Sequence, residues 1–314
     1  MAKSIREAYG EALAKYGKDN DKVVVLDADV SSSTKSNIFG AACPERFFNV
    51  GIAEANMAAM AAGFASAGKV PFVNTFATFI TSLSLISARA FGSYSRLGIK
   101  FAGAYSGLSD AFDGPSHHSI DDLSVMRALP NFKVYVASDE RLTDWLVKNA
   151  IEDPSPMYIR LSRDVFPSLY KEDDIFEDGK GKILKDGKDV TIVSCGIMTA
   201  KALEAAGILA TKGIDAAVID MFCIKPLDSA LLLDYARKTG AVVTAEEHSI
   251  IGGLGAAVAQ TLCSEYTSVP VGFVGINDCH AECGPYNELL HQYGLDADAI
   301  VVKAIETVSR KQLK

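Results

Sequence analysis

Apolar positions switch between two periods along the whole chain, and the switches mark the elements. From Ser4 to Tyr16, Ile5, Ala8, Tyr9, Ala12 and Leu13 fall on one face and predict a helix. The run KVVVLDAD predicts a strand, followed by a polar turn, a short strand RFFNV and an Ala/Met-rich helix from about Ala53 to Ala67. Then come strand VPFVNTF, a helix through LSLISARAF, strand IKFAGAY and the loop SGLSDAFDGPSHHSIDD. A short helix, strand FKVYVAS, helix DERLTDWLVKNAIED and strand PMYIRLS complete the first half. Strands alternating with helices in this way point to an α/β fold with parallel sheets.

The alternation stops between about Asp164 and Asp189, where charge and glycine accumulate and the chain reads as a connection between domains. It restarts with DVTIVSCG, an unbroken apolar run suited to a strand buried on both faces. Three more helix–strand units follow, ending in IDAAVIDM, GAVVTAEE and VPVGFVG. The expected organisation is a first domain over 1–170, a linker over 171–188 and a second domain over 189–314. There is no internal repeat and no low-complexity tract.

At 314 residues, 49% hydrophobic and 22% charged, the chain can bury two cores and has the composition of a soluble globular protein. A net charge of −8 with no Lys/Arg stripe argues against nucleic acid, while one or two arginines would suffice for a small phosphorylated substrate. The charged, amphipathic start MAKSIREAYGEAL is no secretory signal, and no apolar run reaches membrane-spanning length, so no membrane partner is expected. The six cysteines are scattered, which fits reduced thiols and a cytoplasmic location. Cys279, His280 and Cys283 sit together, but no second ligand pair stands at zinc-site spacing. They read as a loop with two free thiols.

Glu54 opens the Ala/Met-rich helix. A carboxylate in a first turn gains about 0.3–1 kcal/mol from the helix dipole and needs no further function. The dense small residues behind it imply close packing, so an acid/base role stands beside the structural one. The segments VGIAEANM, VNTFATFI, DAFDGPSHHSIDD and IRLSR follow one another as in the second half of transketolase. This resemblance runs from SIREAYGEAL to EEHSIIGGLG and beyond, and its motifs are specific to the transketolase and deoxyxylulose-phosphate synthase branch of thiamine-diphosphate enzymes. It implies two parallel or mixed-sheet α/β domains, a pyrimidine-binding thiamine-diphosphate domain and a transketolase C-terminal domain. The Gly-Asp-Gly motif that holds the diphosphate and its Mg2+ or Ca2+ in that group does not occur in this sequence. The chain therefore resembles the separate C-terminal subunit of a split transketolase, whose N-terminal partner subunit would carry that motif. Homodimerisation, with two partner chains completing a heterotetramer, is what the resemblance implies.

The same resemblance assigns roles by position. Glu54 matches the glutamate that bonds a ring nitrogen of the aminopyrimidine, and Phe76 and Phe79 match aromatics packed around that ring. Asp29 falls near the thiazolium side. Asp113 and His117, in Asp-Gly-Pro-Ser-His-His, match an Asp that contacts a substrate hydroxyl and a His that moves protons at the reacting carbonyl. Arg6, Ser33 and Arg163 match positions that hold the phosphate of sugar phosphates; arginine suits this because its planar fork binds two oxygens. Three departures stand out. Ser82 replaces a third aromatic, His118 a frequent Gln, and Tyr105 a substrate-contacting His. These imply ketol transfer between a ketose phosphate and an aldose phosphate, with room for an atypical, branched sugar. The competing readings are the beta subunit of a 2-oxo acid dehydrogenase, a deoxyxylulose-phosphate synthase-like enzyme and a non-catalytic assembly subunit.

Overall fold

The strand-forming runs gather into two sheets in the computed structural model, which describes residues 3–313. In chain order the strands are β1 (Val23–Asp27), β2 (Phe47–Asn49), β3 (Val70–Phe76), β4 (Lys100–Ala104), β5 (Lys133–Val136), β6 (Met157–Arg160), β7 (Lys182–Lys185), β8 (Val190–Ser194), β9 (Ala216–Asp220), β10 (Cys223–Lys225), β11 (Val242–Ser249) and β12 (Val271–Ile276). The first sheet runs β10-β5-β6-β4-β3-β1-β2 and the second β12-β11-β8-β9-β7. Within them β10 and β7 are antiparallel to their neighbours, and every other pairing is parallel. This is the α/β architecture that the alternating periods predict. Every residue of β1, β8 and β9 is buried, as unbroken apolar runs require when helices cover both faces.

Three local features depart from the sequence reading. The segment read as a linker contains β7, which pairs Lys182 with Asp220 and Ile183 with Ile219 on β9. Its Gly- and Lys-rich composition masks four residues on a sheet edge, where charged side chains are tolerated. Strand β10, from the second half, closes the edge of the first sheet against β5. The run LSLISARAF is not one helix. It follows a separate short helix, Ala77–Ser82, and divides into Leu85–Ser87 and a wide-turned segment Ala88–Tyr94. At the break, buried Ser84 turns its hydroxyl to the Glu54 carbonyl at 3.0 Å, a bond outside its own helix.

The helix Ile5–Lys18 starts where the sequence provides a capping box. Ser4 Oγ accepts from the Glu7 N–H at 3.3 Å, and the Glu7 carboxylate accepts from the Ser4 hydroxyl at 2.7 Å. This fixes the turn on which Arg6 sits. The two halves are joined by Arg160, a fully buried guanidinium at the end of β6. Its Nε donates to Asp122 at 2.7 Å, and its Nη2 to the carbonyls of Ser119 at 3.1 Å and Glu247 at 2.8 Å. Glu247 lies on β11, so one cation stitches the second sheet to the loop after β4. No helix among the described residues is long and apolar enough to cross a membrane.

Candidate active site

The C-terminal ends of β1, β3, β4 and β6, where ligand sites of open α/β sheets gather, all carry candidate residues. Phe76 ends β3, and the chain turns at once into the helix Ala77–Ser82, placing Phe79 one turn on. Their ring centroids are 5.8 Å apart. His117 meets both edge-on, at 6.0 Å from Phe76 and 5.3 Å from Phe79, and Tyr105 packs on Phe76 at 4.7 Å. These four rings form one half-buried aromatic wall.

His117 reaches the wall because the loop carrying it is drawn tight. Gly107 and Ser119 exchange backbone hydrogen bonds of 2.9 and 3.0 Å, closing the base of the loop. Gly107 has φ +64°, and a Cβ there would lie 2.2 Å from the Glu247 carboxyl carbon. Only glycine lets Glu247 come close enough to accept the Leu108 N–H at 2.8 Å. At the far end Gly114 (φ +73°) starts a tight turn, and both His117 and His118 N–H groups return to its carbonyl. That turn is covered by the second half, since a Cβ on Gly114 would meet Cys283 Sγ at 2.2 Å and the Gly284 N–H donates to the Ala111 carbonyl at 3.2 Å. The Cys279–Cys283 stretch thus packs on the site's loop; among the described residues its thiols and His280 form no metal-sized cluster.

Within the loop, ligand atoms of Asp110, Asp113 and His117 lie within 4.8 Å of one another. His117 Nδ1 shares a hydrogen bond of 2.9 Å with the Ser116 hydroxyl, which orients the ring. His118 points the other way, into the protein, where burial lowers its pKa. It lines a separate cavity of about 400 Å3 with Thr78, Asp121, Ser249 and His280.

The arginines approach from the other side of Tyr105. Arg6 donates to the Tyr105 hydroxyl at 2.7 Å and to the Ser33 carbonyl at 3.1 Å, while its buried Nε has no partner. Arg163 stands over the same ring at 5.0 Å and pairs with Asp110 at 3.4 Å. The two guanidiniums therefore flank one tyrosine, in line with the aromatic wall. Ser33 contributes its backbone rather than its hydroxyl.

Two predicted residues stand outside this cluster. Asp29 is exposed, at φ +66°, and accepts from Asn49 at 2.8 Å. The turn after β1 is capped instead by buried Asp27, which accepts from the Val30 N–H and the Thr34 and Ser36 hydroxyls. Glu54 is only 6% exposed at the first position of its helix Glu54–Ser66. Among the described residues its carboxylate has no hydrogen-bond partner, although its carbonyl is held by Ser84. Ser82 is exposed and bonds back to the Thr78 carbonyl, so no aromatic takes its place in the wall. Asp110 and Glu247 were not singled out by sequence. The first lies three residues before the recognised motif, and the second acts across 139 residues of chain. A cleft of about 630 Å3 beside Glu11, Asp144 and Trp145 contains none of the candidate residues.

Comparison with known proteins gives one answer over the whole chain. Residues 1–168 match the transketolase pyrimidine binding domain and residues 179–300 the transketolase C-terminal domain. A solved split-gene transketolase, described as an inactive beta4 tetramer, is 49% identical with a TM-score of 0.91, and 98% of each chain is covered. The 6-deoxy-6-sulfo-D-fructose transketolase subunit of Clostridium sp. (strain MSTE9) is 38% identical over 99% of this chain and 96% of its own. Human transketolase is 37% identical over 94% of this chain but only 47% of its own length. With both halves matched, and full-length relatives that are themselves single subunits, the chain belongs to the transketolase family, whose members depend on thiamine diphosphate, and is built as the C-terminal subunit of a split enzyme.

Proposed function

We propose that this chain supplies the pyrimidine-binding and substrate-binding half of a two-subunit ketol transferase. The observation that carries the reading is an aromatic wall that leads to two guanidiniums, together with a helix whose first residue, Glu54, offers a carboxylate with no hydrogen-bond partner among the described residues. A carboxylate that no other side chain engages is free to bond a bound aminopyrimidine ring. Phe76 and Phe79 offer half-buried ring surface of the kind that orients such a heterocycle. The residues present thus fit the pyrimidine end of thiamine diphosphate. The diphosphate and its Mg2+ or Ca2+ would be held by the N-terminal partner subunit, through its Gly-Asp-Gly motif.

When bound, the cofactor supplies the nucleophilic carbon and the electron sink of the reaction. Glu54 holds a proton at a pyrimidine ring nitrogen. Asp113 accepts hydrogen bonds from substrate hydroxyls, and His117, steadied by Ser116, passes protons at the substrate carbonyl oxygen. Arg6, with its spare buried Nε–H, and Arg163 grip the anionic end of the sugar, while Ser33 holds Arg6 in place. Asp29 stands at the rim, toward the thiazolium side. Tyr105 between the arginines, in place of a histidine, fits a ketose other than the ordinary donors, as does a relative named for a sulfonated fructose. The working assembly is a homodimer of this chain flanked by two partner subunits, located in the cytoplasm.

The test is Glu54→Gln and Glu54→Ala in the reconstituted complex. Both variants are expected to assemble with the partner while losing at least 100-fold in kcat for ketose-to-aldose transfer, the range of one acid/base group. Near-normal turnover in either variant would remove Glu54 from the chemistry.

A further inference from the structure

One acidic side chain in the site has no role in the reading above. Asp110 is 1% exposed, three residues before Asp113, and its Oδ1 lies 3.4 Å from Arg163 Nη1. Its Oδ2 is buried with no partner. A carboxylate beside the guanidinium assigned to a sugar phosphate is an electrostatic contradiction as long as it stays ionised. At 4 Å a like-charge pair costs on the order of 1 kcal/mol in water and about 4 kcal/mol at a protein surface. An anionic substrate and an ionised Asp110 therefore compete for one fork.

We propose that Asp110 controls when the site accepts an anionic substrate end, its carboxylate occupying Arg163 in the free site and releasing it to the substrate by taking up a proton from solvent. The inference rests on the reading of Arg163 as the anion holder. The surroundings favour such an exchange. Facing Asp110 are Asp113 and His117 from its own loop, Arg163 from the segment after β6 and Arg6 from the first helix; Asp164 also feels both guanidiniums. Burial pushes the Asp110 carboxyl up to about 7, Asp113 adds to this, and the two arginines oppose it. The unpartnered Oδ2 is where the proton can sit without breaking a bond.

Sulfate is a suitable probe, because it remains a dianion across neutral pH whereas a sugar phosphate titrates there itself. If binding requires the protonated carboxyl, its fraction falls from about nine-tenths at pH 6 to about one-tenth at pH 8, so sulfate should bind ~10-fold more weakly at pH 8. Calorimetric titration of the full chain and of the assembled complex reads this directly. Asp110→Asn, nearly isosteric and permanently neutral, should bind sulfate at pH 8 as tightly as the native protein does at pH 6, with a flat profile between. It should also lower KM for ribose 5-phosphate relative to ribose as acceptor. A flat native profile, which needs no variant, overturns the proposal. So does weaker sulfate binding by Asp110→Asn, which would make the carboxylate a mere support for Arg163. Arg163→Ala separates the two layers. If it leaves sulfate binding unchanged, the anion-holder reading itself falls; if it weakens binding while Asp110→Asn also does, only the exchange is wrong.

Discussion

Replacing Glu247 with glutamine should stabilise this protein strongly at alkaline pH and by only about 1 kcal/mol at pH 5. Glu247 is 2% exposed on β11, and its Oε1 accepts both the Leu108 N–H and the Tyr286 hydroxyl at 2.8 Å, while Oε2 is buried without a partner. Burial is the main cause that lifts its carboxyl from the ordinary 4.5 to about 7, against the pull of Arg160. An acid whose pKa is higher in the fold than in the unfolded chain binds more protons when folded throughout that interval. Stability therefore falls as pH rises from about 4.5 to about 7, and the full cost is in place above it. At about 1.4 kcal/mol per tenfold, the interval corresponds to a cost of about 3 kcal/mol at pH 8. A glutamine carbonyl accepts the same two bonds, and its NH2 stands where the protonated oxygen stands, so the variant mimics the acid form at every pH. Asp220, also pushed up to about 7 by burial, is common to both proteins and cancels. Urea unfolding of the full chain at pH 5 and pH 8 measures the difference. An equal gap at both pH values, or a variant less stable at pH 8, would refute the reasoning.

Other changes test the local arguments. Ser4→Ala removes the capping box under Arg6 and should cost about 1 kcal/mol in unfolding free energy, read from the urea midpoint. Gly114→Ala puts a Cβ against Cys283 Sγ at φ +73° and should cost about 1–2 kcal/mol, with faster hydrogen exchange over residues 107–119. Phe79→Ala should weaken thiamine diphosphate binding to the assembled complex by about 2–10-fold, the scale of one aromatic pair, measured by calorimetry.

What the sequence made legible is what short-range pattern encodes. Val70–Phe76 and the helix from Glu54 follow from period and composition, and Phe76, Phe79 and His117 meet because a strand end, the next helical turn and a glycine turn fix them locally. What it hid depends on distant partners. Lys182–Lys185 has only Ile183 and Leu184 between its lysines, too short an apolar run to announce a strand, and a sheet edge requires no more. LSLISARAF keeps a helical period, yet Ser84 leaves it to hold the Glu54 carbonyl. Nothing local in EEHSIIGGLG announces that Glu247 reaches Leu108. Asp110 is disguised as an ordinary loop acid, and only the fold places it on Arg163.

The same contacts explain why the second half is needed by a site whose candidate residues all lie in the first. The loop with Asp110, Asp113 and His117 has little secondary structure of its own beyond one turn and a two-residue bridge. Its base is held by Glu247 and Arg160 and its tip by Cys283 and Gly284, so three of these four anchors come from beyond residue 240. Loosening any one lets His117 swing from the phenylalanines, since an edge-on ring contact of about 1 kcal/mol cannot hold a loop by itself. On the opposite flank Glu54 is left without a donor, and beside it Ile52, Leu83 and Ile86 are 82%, 48% and 71% exposed. Exposed apolar surface next to a carboxylate that no described residue engages calls for a second protein wall. The second half thus braces one side of the proposed site, and the other side waits for a partner chain.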